Sequence, residues 1–157
     1  MNNPYLYNKY KKMVSKELNN ALESCCISGD LNEVKYLLTS PDLKSRANPT
    51  VHTNSPLFLA CREGHLHIVK YLLSSPELKK HADIYSDSNR CFKTICAFGR
   101  LDIAEYLIFD YQIEKTQDID SILKIKRDSC SKAIENMFEA RELTKPLNDN
   151  NSKKIKL

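Results

Sequence analysis

A chain of 157 residues has room for one domain with a sizeable core, and its 41 % apolar and 28 % charged residues are the proportions of a globular fold; no apolar run approaches the ~18 residues that span a membrane. The net charge of +4 comes from 24 basic against 20 acidic residues interleaved along the chain, where a nucleic-acid binder concentrates its cations on one face. Six cysteines behind a polar, aromatic start that lacks a secretory apolar stretch are expected to be reduced thiols in the cytoplasm.

In chain order, residues 1–19 are assigned to an N-terminal cap, with a helix over 5–19 that puts Tyr10, Val14 and Leu18 on one side. Lys9, Lys11, Lys12 and Lys16 fall mostly elsewhere. Three segments then align without gaps: GDLNEVKYLL (29–38), GHLHIVKYLL (64–73) and GRLDIAEYLI (99–108). Each begins 35 residues after the one before, and Cys26, Cys61 and Cys96 keep the same register. Such a period is the mark of a repeat architecture and divides 20–110 into units at 20–54, 55–89 and 90–110 plus its connection.

Within a unit the apolar spacing is helical. Leu66, Val69, Leu72 and Leu73 share one stripe, as do Leu31, Val34, Leu37 and Leu38, and Leu101, Ala104, Leu107 and Ile108. A shorter helix precedes each glycine, over 55–62 in the middle unit, where Ser55 is a suitable N-cap and Pro56 a suitable first helical residue. The glycine ends it by turning left-handed, so each unit is an antiparallel helix pair. Pro41 and Pro76 stop the second helices. Further on, 119–125 and 129–143 predict helices that close the stack, the latter through Ile134, Met137 and Phe138, and 111–145 is assigned to this C-terminal cap. Residues 146–157 lack a packable pattern and predict a disordered tail.

The segment SPLFLACREGHL (55–66) resembles the ankyrin repeat, whose signature runs Thr-Pro-Leu-His-x-Ala followed by Gly-His and a Val/Leu-rich helix. Residues His81, Ala82, Asp83 and Ile84 resemble the Gly-Ala-Asp-Val element ahead of the hairpin. The resemblance covers 20–110 and implies an all-α fold, a short ankyrin-repeat solenoid of stacked antiparallel helix pairs with helical caps at both ends. Phe58 stands where the signature has His, and the units exceed the usual length of about 33 residues. Cys26, Cys61 and Cys96 stand where the family has a small Ala, and His65 is expected to be architectural, with His67 exposed beside it.

No catalytic, cofactor or metal site is expected. The histidines at 52, 65, 67 and 81 are scattered and no Cys-x-x-Cys pair occurs; a cysteine nucleophile would also need a gathered base and orienting group. Gly29, Gly64 and Gly99 are the only glycines, too far apart for a phosphate loop. The basic runs 9–12 and 153–156 read as a solvated helix face and a chain end. The resemblance implies instead a protein-binding concave side built from exposed positions of the first helices and from loop tips. These are Ile27 and Ser28, Arg62 and Glu63, Ala97 and Phe98, with His52, Asn54, Asp87 and Asn89 as tips. Phe98 and Arg62 are the preferred anchors, exposed aromatic and Arg side chains being enriched in binding hot spots; the alternative for Phe98 is packing against the closing helices. The function expected is that of a monomeric, non-enzymatic adaptor or inhibitor with an unidentified protein partner, in its own cytosol or, as an effector, in a host's. The alternatives are a self-assembling structural subunit and nucleic-acid binding through the basic ends.

Overall fold

The computed structural model describes residues 3–126 and 128–144; the tail expected at 146–157, with its basic run, lies outside them. Helix α1 (Pro4–Tyr10) starts on Asn3, whose side chain accepts the Leu6 N–H at 3.1 Å, with Pro4 in the first turn. The single capping helix expected over 5–19 is instead two. Val14 is extended and 61 % exposed, its N–H taken by the Glu17 carboxylate at 2.9 Å, and α2 (Ser15–Ser28) begins there. Leu18 therefore belongs to the first repeat, while Leu6 and Tyr10 carry α1 onto its outer side.

Three helix pairs follow the predicted period. Helix α2 pairs with α3 (Leu31–Thr39), α4 (Val51–Glu63) with α5 (Leu66–Ser74), and α6 (Ser86–Phe98) with α7 (Leu101–Glu105), which continues as a π-helical turn over Tyr106–Asp110. The first helix of each pair ends on a left-handed glycine, Gly29, Gly64 or Gly99. Helices α3 and α5 stop just before Pro41 and Pro76. The third unit has no proline there, and its helix overruns into the π turn.

The first helices contact one another in sequence, α2 on α4 on α6, and the second helices form the other layer, α3 on α5 on α7. Helices α8 (Gln117–Lys126) and α9 (Ser129–Thr144) pack on α6 and α7 and on each other, so the closing segment takes the place of a fourth pair. Arg141 on α9 fastens it by donating Nη1 to the carbonyls of Ile108 and Ile113 at 3.1 and 2.6 Å. A single core runs through the stack from Leu6 to Phe138, with Leu22, Leu37, Leu57, Leu72, Ile95 and Leu107 among its fully buried members.

The opening turns of α4 and α6, which lead in from the connections between units, are left-handed. His52, Thr53 and Asn54 have φ of 46°, 57° and 62°, and Asp87, Ser88 and Asn89, one period on, have 53°, 52° and 59°. Left-handed conformation costs roughly 1–2 kcal/mol per L-residue, so three in succession need outside support. At two of the joints asparagine side chains supply it. Asn19 Oδ1 accepts the Asn48 N–H at 2.8 Å, and Asn54 Oδ1 accepts the Asp83 N–H at 3.0 Å, each tying a first helix to the following connection. At Asn89 the third connection is shorter, the corresponding N–H (Glu114) goes to the Tyr85 hydroxyl at 2.9 Å, and Asn89 Oδ1 is buried without a partner. Asn54→Ala is therefore expected to lower stability by about 1–2 kcal/mol more than Asn89→Ala in urea unfolding, because only the former orphans an amide. Equal losses would mean that the asparagine ladder bears no weight.

Candidate functional site

The C-terminal ends of the first helices form a row on one side of the stack. Ile27 is 45 % and Phe98 56 % exposed, and Ser28 and Ala97 are also open to solvent. Arg62 and Glu63 are half-buried between them, Nε to Oε1 2.7 Å apart. The row is held from behind. His65 Nε2 lies 2.8 Å from the Ile27 carbonyl oxygen, and one period on Arg100 donates Nε and Nη2 to the Arg62 carbonyl at 2.9 and 2.7 Å. His65 is thus the architectural residue the resemblance implies; His67 is exposed and lies 3.0 Å from the Gly29 carbonyl. Phe98 is not sealed beneath the closing helices, since more than half of it faces solvent.

Of the four expected loop tips only two are surface. His52 is exposed, with Nδ1 3.0 Å from Glu23 Oε1, and Asp87 is exposed, 3.6 Å from the Arg90 guanidinium. Asn54 and Asn89 are buried at 7 % and 5 % and leave the candidate surface, because the left-handed turn swings their amides into the joint between units.

The structure adds a group that the sequence reading passed over. The Arg90 guanidinium lies over the Phe58 ring, Cζ 3.7 Å from its centroid, and Arg62 approaches the same ring at 5.9 Å. Lys93, one turn along α6, is exposed. The signal was available: the 35-residue register puts Glu23, Phe58 and Lys93 at one position and Asn20, Ser55 and Arg90 at another, one and two turns before Ile27, Arg62 and Ala97.

Five of the six cysteines are buried in the core, and Cys130 is half-buried against it. Burial pushes the Cys26 thiol, and burial with a hydrogen bond to Glu33 the Cys25 thiol, up to about 12, so both are held as thiols and are weak nucleophiles. Cys61 is raised too, first by a hydrogen bond with Cys91 and then by burial. Among the described residues no three His, Cys, Asp or Glu side chains converge as metal ligands. An open hollow of about 750 Å³ beside Lys115, Phe138 and Arg141 adjoins α9, in the second-helix layer and off the row. No described helix is long and apolar enough to cross a membrane.

A family model for ankyrin repeats (3 copies) matches residues 4–88 and 22–119. No curated protein and no solved structure matches the chain. Those matches span most of the chain and coincide with the stacked pairs from α1 to the start of α8. With the 35-residue register, the left-handed turn glycines and the two helical layers, they make this chain a member of the ankyrin-repeat family, whose repeats mediate protein–protein interaction.

Proposed function

We propose that the chain is a non-enzymatic cytosolic adaptor or inhibitor that holds a partner protein along the row Ile27, Ser28, Arg62, Glu63, Ala97 and Phe98, flanked by His52 and Asp87. The observation that carries this reading is the exposure of Phe98 and Ile27, 56 % and 45 %, in a row where the neighbouring units hold the Ile27 and Arg62 carbonyls. Large apolar side chains on a rigid support lose little entropy on binding, the condition for a hot spot. The double variant Phe98→Ala/Arg62→Ala is expected to keep the helical circular-dichroism spectrum and to bind the partner captured by the wild type at least tenfold more weakly, each truncation costing about 1–2 kcal/mol. Unchanged affinity of the folded variant would remove the row from consideration.

A second reading, self-assembly through the terminal helices, is favoured by Tyr5, Ile125 and Leu143, which are 71 %, 81 % and 87 % exposed. They lie on α1, α8 and α9 and form no row with one another along the first-helix layer, so we place this reading second. Light scattering that gives one monomer mass at every concentration rejects it.

A further inference from the structure

The Phe58–Arg90 stack bears on what kind of segment the row accepts, and the inference rests on the concave-face reading above. An Arg laid flat on an aromatic ring has its apolar faces covered and its N–H groups directed outward in the guanidinium plane, ready for a planar, two-oxygen acceptor. Arg90 is close enough to Phe58 for such a stack. Its Cζ is 3.7 Å from the Phe58 centroid, and its side chain is 46 % exposed. Its nearest anion, Asp87 Oδ2, stands at 3.6 Å, beyond hydrogen-bonding distance, and is itself 49 % exposed. A half-exposed ion pair at that separation contributes little and exchanges readily. Asp87 also sits in a left-handed turn, so its carboxylate is presented beside the guanidinium by the backbone.

Lys93 adds a second cation one turn away on α6 and has no ion-pair partner among the described residues, and Arg62 approaches the ring from α4. The cations are not a polyanion track. Glu63 is bonded to Arg62, Asp87 lies beside Arg90, and Glu23 on α2 lies against His52, so a nucleic-acid backbone laid along the same face would meet carboxylates at each unit. A site with one preorganised guanidinium, one unpaired ammonium and an aromatic base selects a local pair of carboxylates.

We propose that Phe58, Arg90 and Lys93 form the seat for an acidic segment of a partner protein, a Glu or Asp carboxylate bonding edge-on to Arg90 and displacing Asp87, which holds the place in the free protein. The arrangement makes two variants move in opposite directions. Asp87→Asn removes the competing anion and tightens binding; Arg90→Lys keeps the charge but loses the planar fork and the ring contact, and weakens it.

Fluorescence anisotropy of the full chain with a fluorescein-labelled peptide of repeated Glu-Glu-Tyr is the test, with the Lys-Lys-Tyr counterpart and a thymidine oligonucleotide as comparisons. The expected result is saturable binding of the acidic peptide alone, weakening with added salt, about threefold tighter for Asp87→Asn and about tenfold weaker for Arg90→Lys, with both variants folded by circular dichroism. No saturable binding of the acidic peptide overturns the proposal, as does preference for the basic peptide or the oligonucleotide. Equal affinities of wild type and Arg90→Lys also overturn it. A captured partner lost by Phe98→Ala/Arg62→Ala but indifferent to Arg90→Lys would sink this seat alone and leave the concave-face reading standing.

Discussion

Leu72→Ala is expected to destabilise the protein by about 3 kcal/mol, lowering the thermal midpoint by roughly 10 °C for a domain of this size. Leu72 is fully buried in α5, the middle helix of the second layer. The cavity opened there borders both neighbouring units, since α5 contacts α3 on one side and α7 on the other. The matching control is Leu143→Ala. That leucine is 87 % exposed, and the same chemical change should leave the midpoint within a degree or two, about the surface-substitution range. Differential scanning calorimetry on the two variants decides it, and comparable midpoints would contradict a core running through the middle unit.

Gly64→Ala should cost about 3 kcal/mol, and Gly99→Ala only about 1–2 kcal/mol. Both glycines are left-handed, at φ 86° and 64°, so both variants bear the penalty of a Cβ in that region. At Gly64 the new Cβ would stand 2.9 Å from Arg100 Nη1 and 3.0 Å from its Cζ. The side chain can move, but only by giving up the hydrogen bonds at 2.9 and 2.7 Å that hold the Arg62 carbonyl. At Gly99 nothing lies within 4 Å, and the backbone penalty stands alone. Urea unfolding of both variants measures the difference; identical losses would show that the Arg100 contact contributes nothing.

The helix pairs were legible because their information is local and repeated: a stripe of Leu and Val, a glycine and a proline at a constant interval. The weakly matching end also folds as helices, α8 and α9, with Ile134 and Phe138 buried. What escaped was decided either between units or by a local exception to the repeat. Asn54 and Asn89 look like loop polars, and the left-handed turn carries them into the joint. Val14 fits a helical stripe with Tyr10 and Leu18, yet the Glu17 carboxylate captures its N–H and restarts the helix. The π turn at Tyr106 arises because a proline is missing, an absence no motif records. Of the candidate surface, Ile27 and Phe98 are exposed as the family resemblance implies, whereas the Phe58–Arg90 stack joins residues of different units and needed the register applied to polar positions as well as apolar ones.

The joints between units have an architectural corollary. Asn19 reaches the connection that follows its own pair, His65 and Arg100 reach back one unit, and none of them spans two. Residues 55–89 contain a donor and a receiver for each such joint, so a tandem duplication of that stretch would arrive with its couplings complete. Chain length is in that sense modular, and a longer array could offer a target more area without any redesign of its interior.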